Sequence, residues 1–480
     1  MKMMQKRKVT LFWASDPNIY DPYSEFSVSS AMLYLSKILQ SNGFDVVVID
    51  SNFVITHEDF VMYPEKTLEK IIKAIEKTNP DILGIGSWTC SMPLVAEFVR
   101  EFKARNPYIQ IILGGSNATH VANETLELLP EIDFCVRGEG EYTLLELCQA
   151  LSSNKKNFGK IKGISYRNKE GKIVHTPDRP QIKNLDELPL VDLECYYEIP
   201  KKFSFPIHFE RGCIGKCSFC SINSIWKKPS FFSPEHVVEQ IKHAKNLYSD
   251  IKFIFYNDNL FSNVFWAKKV AENIHRSFPD LEWASAFRME PISNELMLYM
   301  EKMGLRYTYI GIESNIPKSL VFFNKTIDPK MYIKRIPKVL EILGKLNIFN
   351  ELSFMTGAPD ENKRELINLK NFMLGIREKY ENIGINWAPY VLLPGPKLWG
   401  NYLNGEIKLE KLPNWETWAD SFFKEKYQHL IWMVPKAYTI KNNKMTMEDL
   451  IRIRLEFERD IGYGIDFQTK FNVKSFKNNL

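Results

Sequence analysis

Hydrophobic positions along the chain come in two rhythms that alternate. Short, nearly continuous apolar runs are separated by longer stretches with helical spacing. From Val9 to about Ala150 the strand-like runs are VTLFWAS, FDVVVID, ILGIGSW, IQIILGG and FCVRGEG. Between the first two, SVSSAMLYLSKILQSNG opens on serines, keeps a helical apolar period, and meets a stop signal at Gly43. Apolar strands of this kind need cover on both faces, so the pattern predicts a doubly wound, Rossmann-like parallel sheet over residues 1–150. Such sheets bind ligands beyond the carboxyl ends of their strands. Those ends are Ser15–Asp16, Gly86–Ser87, Gly114–Gly115–Ser116 and Gly138–Glu139–Gly140. Two readings stand for the glycines: close backbone approach to a large ligand, or ordinary turns. No G-x-G-x-x-G follows the first strand, which argues against a nicotinamide or flavin cofactor.

Residues 151–202 differ in texture. GISYRNKEGKIVHTPDRP reads as a small hairpin turning at Lys169–Gly171, and a proline-punctuated connector follows. The alternation resumes over 203–400 with PIHFE, KFIFYND, LEWASAF, YTYIGIE, NELSFMTG and INWAPYVL. Ser233, ahead of Pro234, and Ser293 are expected to cap two of the intervening helices. Six β/α units predict a partial (β/α)6 barrel, and barrel enzymes place their chemistry at the carboxyl-terminal rim. The strand ends there carry three cysteines, Asp258–Asn259, Arg288, Glu313–Ser314, Gly357 and Pro394–Gly395. Residues 401–480 read as a mainly helical region. Trp415, Trp418, Phe422, Phe423, Tyr427 and Trp432 have the spacing either of a cap over the barrel mouth or of a substrate pocket.

Composition changes this picture little. The net charge of +5 is spread without a basic block, giving no nucleic-acid or anionic-membrane footprint. No window approaches the roughly 20 apolar residues of a membrane span. The N-terminus leads into a strand rather than a signal-peptide core. Cys90, Cys135, Cys148 and Cys195 are scattered singly, the usage of a reducing compartment, so a cytoplasmic protein is expected.

The other three cysteines lie within eight positions, in FERGCIGKCSFCSINSIWKK. Three is odd, and neighbours this close form strained pairs, so a disulfide is disfavoured. Zinc prefers four ligands, often as two C-x2-C pairs, and no second pair follows. Iron–sulfur clusters take thiolates at short spacings, normally four, so three would leave one iron open.

The spacing C-x3-C-x2-C at Cys213, Cys217 and Cys220, with Phe219 before the last cysteine, resembles the radical S-adenosylmethionine (SAM) superfamily. YNDNLF after the second barrel strand, GIES at 311–314, FMTGAPDE at 354–361 and YVLLPGPKLW at 390–399 follow in order. Upstream, ILGGSNATHVANETLELLPEIDFCVRGEGEYTLLEL is similar to the cobalamin-binding domain that precedes the barrel in one large subgroup. The resemblance implies that the three cysteines are catalytic and hold a 4Fe–4S cluster whose open iron chelates SAM, which one electron splits into methionine and a 5′-deoxyadenosyl radical. It implies SAM contacts from Phe219, Asp258, Asn259, Arg288, Glu313, Ser314, Gly357, Val391 and Leu393, with a rim salt bridge as the alternative role for Glu313. Cobalamin contacts would come from Ser15, Asp16, Ser87, Trp88, Gly114, Gly115, Ser116, Glu139 and Gly140, although core packing is the commoner fate of a tryptophan. The D-x-H-x-x-G histidine motif is absent, and His120 lacks its context, so the resemblance implies cobalamin bound without a protein histidine.

The activity implied is a cobalamin-dependent radical SAM methyltransferase acting on a carbon of a natural product or peptide. Cyclisation or rearrangement with the same cofactors is the alternative within the family. A non-enzymatic iron–sulfur electron-transfer or sensor protein is the alternative outside it, and would need a fourth cysteine from upstream. A methylthiotransferase does not fit, because its extra N-terminal cysteine triad is missing. The expected partners are a small-molecule or peptide substrate and a reductant such as flavodoxin or ferredoxin, with no nucleic acid and no membrane.

Overall fold

The computed structural model describes residues 7–14, 28–55, 64–153, 157–199, 203–248, 251–409 and 440–461. These fall into two compact units, with the chain passing from the first to the second at Pro206–Ile207. His243–Ile251 returns to the first unit.

The first unit is built on a seven-stranded sheet. Its strands are β1 (Lys8–Ala14), β2 (Asp45–Asp50), β3 (Ile82–Ser87), β4 (Gln110–Gly115), β5 (Phe134–Val136), β6 (Ile164–Arg167) and β7 (Ile173–His175). The order is β2-β1-β3-β4-β5-β6-β7, parallel through β5 and antiparallel thereafter. The doubly wound sheet expected from the apolar runs is present. Helices Pro64–Thr78 and Met92–Arg105 cover one face, where Phe12 meets Phe98 at 5.0 Å between ring centroids and Phe98 stacks on Phe102. Each such burial contributes roughly 1.5–3 kcal/mol. Helix Ser30–Ser41 packs on the other face with helix Glu141–Ser152, and ends where Gly43 takes φ +88°, a conformation that favours glycine.

The hairpin read as part of a connector pairs instead with β5 and continues the sheet. Short, half-polar β6 and β7 cannot stand alone in water, and the edge of β5 supplies the missing partner. At the opposite edge Val48 bridges to Tyr196, with Val48 N–H donating to the Cys195 carbonyl at 2.7 Å.

The second unit holds the strand–helix repeats. Strand β8 (Ser204–His208) pairs with β11 (Lys252–Tyr256), while β12 (Trp283–Arg288), β13 (Leu305–Glu313), β14 (Phe349–Thr356) and β15 (Ile383–Pro389) form a parallel sheet in chain order. At the β11–β12 seam, side chains take the place of a backbone ladder. The Asn257 Oδ1 accepts from Ala286 N–H at 2.6 Å and the Asn259 Oδ1 from Arg288 N–H at 3.2 Å. Both predicted caps form: Ser233 Oγ accepts from His236 N–H and Ser293 Oγ from Leu296 N–H. Alternate residues of β14 and β15 point to the helices, as Phe354 does toward Phe372 and Trp387 toward Phe457. The helix Met447–Ile461 lies on helix Lys363–Lys379, held by Lys370 to Glu456 and Asp460. The described C-terminal helix therefore covers the outer layer. The six aromatics from Trp415 to Trp432 lie outside the described residues.

Among the described residues no helix is long and apolar enough to cross a membrane. Cys135, Cys148 and Cys195 are buried free thiols, pushed by burial up to about 12, 12 and 11, as expected of packing cysteines.

Candidate active site

The cysteine loop is closed at its base by a two-stranded antiparallel ribbon, β9 (Glu210–Arg211) with β10 (Ser230–Phe231). Gly212 opens the loop at φ +92°, and its N–H donates to Asp258 Oδ2 at 2.6 Å. Gly215 N–H donates to Cys213 Sγ at 3.2 Å, and a Cβ there would stand 2.7 Å from Arg288 Nη1. The loop is pinned from outside as well. Ser218 N–H and Oγ donate to the carbonyls of Phe323 (2.9 Å) and Phe322 (2.7 Å), and Asn324 Nδ2 donates to the Lys216 carbonyl.

Arg288 Nη1 donates to Cys217 Sγ at 2.9 Å. Its Nη2 donates to Glu290 and to the Lys325 carbonyl. Burial pushes Cys220 up to about 12 and Cys213 upward. Among the described residues no three His, Cys, Asp or Glu side chains converge on a single metal ion. A 4Fe–4S cube needs no such point, because each thiolate meets a different iron. One short loop with three sulfurs, an N–H···S bond and a guanidinium beside the second sulfur suits an anionic cluster.

The remaining rim residues divide into two groups. Glu313 has φ +68° at a register shift of β13, and this bulge turns its carboxylate to Lys325 Nζ at 3.0 Å. Both side chains are buried, and Gly311 leaves room for them, since a Cβ there would stand 2.3 Å from Glu313 Oε1. Of the two roles read for Glu313, the ion pair is observed. Gly357, at φ +113°, follows β14 and is fixed by buried Glu361, whose Oε2 accepts from Gly357 N–H at 2.8 Å and from Thr356 Oγ1 at 2.5 Å. Burial raises the Glu361 pKa, and a third donor, Ser319 Oγ, bonds its Oε1.

Phe219 lies edge-on to Phe323 and Tyr390. Tyr390 is itself buried, and among the described residues its hydroxyl has no hydrogen-bond partner. Val391 is half-buried and Leu393 exposed. Asn259 and Ser314 are committed to the framework: Asn259 bonds Arg288 N–H and Ser262 Oγ, while Ser314 Oγ accepts from Ile316 N–H. Lys325, Glu290, Glu361 and Tyr390 are further residues that the fold brings to the site. Glu361 and Tyr390 stand inside quoted motifs, but nothing in the spacing marks Lys325 or Glu290.

Glu210 is buried; its Oε1 accepts from Asn259 N–H at 2.8 Å, and among the described residues its Oε2 has no partner. Burial lifts its pKa from 4.5 to about 8. Between those values the folded chain holds a proton that the unfolded chain has lost, so stability falls as pH rises through this window. From about pH 5 to about pH 8 the unfolding free energy should drop by a few kcal/mol, on the order of 1.4 per unit. In Glu210→Gln this component of the pH slope should vanish, as urea unfolding at the two pH values will show.

In the first unit the order β2-β1-β3 puts the topological switch point between β1 and β3. Ser15 and Asp16 lie outside the described residues. Ser87 is fully buried, whereas Trp88 is 53% exposed and meets Trp13 edge-to-face at 5.8 Å. Gly115 has φ +102°, and a Cβ there would stand 2.2 Å from the Ser87 carbonyl oxygen. Only glycine permits that approach of β4 to β3. Ser116 follows at the start of a short turn, and its carbonyl holds His120 Nδ1 at 2.7 Å. Burial lowers the His120 pKa. Glu139 Oε2 accepts from Ile182 N–H, and Gly140 caps helix Glu141–Ser152. An exposed indole beside strand ends of low profile suits the flat, largely apolar face of a corrin.

Comparison with known proteins agrees with this division. The B12 binding domain family matches residues 27–148 and the radical SAM superfamily matches residues 207–373. An uncharacterised methyltransferase of Pyrococcus horikoshii is 28% identical over 418 residues, covering 85% of this chain and 86% of that protein. The anaerobic magnesium-protoporphyrin IX monomethyl ester cyclase of Rubrivivax gelatinosus is 27% identical over 69% of this chain and 59% of its own length. Among solved structures, the radical SAM methyltransferase TsrM from Kitasatospora setae, with cobalamin and a [4Fe-4S] cluster bound, has a TM-score of 0.65 at 16% identity, covering 82% of this chain and 77% of that one. The cobalamin-dependent SAM radical enzyme OxsB, with aqua-cobalamin and SAM bound, has a TM-score of 0.71 at 15% identity, covering 98% and 70%. At these identities the structures establish a shared fold.

Proposed function

Because this chain belongs to the radical SAM enzymes that carry a B12-binding domain ahead of the barrel, we propose that it is a methyltransferase acting on a carbon of a natural product or peptide. The observation that carries the reading is the pairing, in one chain, of a three-thiol loop with a separate B12-binding sheet. Similarity to a methyltransferase over most of both chains supports it. The bound groups supply a one-electron route to a carbon radical and a methyl carrier.

The protein's part is placement. Cys213, Cys217 and Cys220 would hold the cluster, with Arg288 balancing its charge at Cys217. Phe219, Asp258, Glu313, Gly357, Val391 and Leu393 would surround SAM. Asn259 and Ser314 would act by fixing the strand ends that present them. In the sheet domain, Ser87, Gly114–Ser116 and Glu139–Gly140 would line the cobalamin crevice, with Trp88 against the corrin. No histidine is assigned to the cobalt, because the D-x-H-x-x-G motif is absent from the chain. A one-electron donor such as flavodoxin or ferredoxin would complete the system.

The test is anaerobic purification from cells supplied with cobalamin, followed by reaction with methyl-deuterated SAM and a reductant. About one cobalamin per chain is expected, with reductant-dependent 5′-deoxyadenosine and transfer of the deuterated methyl to cobalt. A second reading, cyclisation without methyl transfer, draws on the similarity to the ester cyclases. Cobalamin bound with no label transferred would favour it, and a chain that takes up no cobalamin would end both.

A further inference from the structure

The face of the β12–β15 sheet opposite the helices is open and unexpectedly polar. Phe354 and Trp387 face the helices, so by strand alternation Glu351, Ser353, Asn386 and Ala388 face the lumen. Register places Tyr309 beside Glu351 and Tyr307 one step below. Tyr309 is 37% exposed although it sits in a central strand with partners on both sides, so this face of the sheet is not packed over at Tyr309. Ala284 and Ala286 on β12 and Ala388 on β15, all only part-buried, add little bulk to that face.

Glu351 occupies the floor. Its Oε2 accepts from Tyr307 O–H and its Oε1 from Asn386 Nδ2 at 3.1 Å. Both donors are neutral, and among the described residues no cation pairs with Glu351, in contrast to Glu313 with its lysine. Tyr307 is further braced by stacking on Phe349 at 5.9 Å. Tyr309 is hydrogen-bonded to Ser353, and both Glu313 and Glu351 lie near enough to act on it electrostatically. A carboxylate held by neutral donors and half-shielded from water attracts a cation by its charge.

Taking the radical SAM reading as its basis, we propose that the barrel lumen binds the substrate through a protonated amine, which sits on Glu351 beside Tyr307 and Tyr309. The pocket selects for a substrate carrying an ammonium group and an adjoining planar or aliphatic body, against neutral hydroxylated analogues of the same shape.

Isothermal titration of the loaded holoenzyme with tyramine and with its neutral isostere tyrosol reads this selection. Tyramine is expected to bind about ten-fold or more tightly, because a charge-assisted hydrogen bond is lost in tyrosol. Glu351→Gln should bring the two affinities together, while Glu351→Asp, which keeps the charge, should retain a preference for the amine. Equal affinities in the wild type, a preference for tyrosol, or binding of neither would overturn the proposal. If Glu351→Gln does not fold, the wild-type ratio and Glu351→Asp still decide. Cobalamin uptake and SAM cleavage are measured on the same preparation. Their failure would count against the methyltransferase reading, whereas a loaded, SAM-cleaving enzyme that does not discriminate would sink the amine pocket alone.

Discussion

Replacing Cys217 by alanine should empty the barrel of iron while leaving cobalamin in place. Cys217 is the middle thiol of the loop and the one to which Arg288 donates. Without it the cluster would keep two thiolates where four irons need at least three, and the guanidinium would lose its anionic neighbour. Reconstitution followed by iron analysis should find near none instead of about four irons per chain. Reductant-dependent SAM cleavage should disappear with the iron. Cobalamin content should hold, because the B12-binding match ends at residue 148 and lies wholly in the sheet domain. A variant that retained a full cluster would remove Cys217 from the ligand set, and one that lost both cofactors would point to general misfolding.

The second large effect concerns a residue outside every motif. Lys325→Met should destabilise the barrel by about 3–5 kcal/mol, because it leaves Glu313 buried without its cation. Set against a typical domain stability of about 5–15 kcal/mol, this brings the barrel near unfolding. Adding Glu313→Gln removes the stranded charge and should recover most of the loss. Urea unfolding of the single and double variants, monitored by far-ultraviolet circular dichroism, measures both numbers. A single variant within about 1 kcal/mol of wild type would mean that water or another group solvates Glu313. The same pair bears on the site, since the Lys325 carbonyl also holds Arg288.

Much of the architecture is written in local pattern. Near-continuous apolar runs require cover on both faces, so the five runs before Ala150 read as parallel strands, whereas the six after Pro206 read as β/α units from their alternation with helical stretches. Ser233 and Ser293 capped where they were expected, because capping depends on residues three positions apart. Edges were harder to read. The hairpin Ile164–His175 has ordinary hairpin chemistry whether it stands alone or joins a sheet, and only the unpaired edge of β5 settles the matter.

The candidate site shows the same boundary. Cys213, Cys217 and Cys220 are legible because a cluster reaches ligands on one short loop, and the spacing is itself the signal. Asn259 and Ser314 look equally polar in the sequence, yet their side chains are used up by backbone partners at strand ends. Lys325 reaches Glu313 from twelve positions away across a bulge. Glu351, Tyr307 and Asn386 come from three different strands, and meet only because parallel pairing at one register turns all three side chains to the lumen. Sequence alone determined what is periodic or close in the chain: the alternation of elements, the helix starts and the three-thiol loop. The tertiary structure decided what depends on pairing and burial, because a carboxylate or guanidinium acquires its role from the charges and donors that folding places beside it, and those are set by register rather than by spacing.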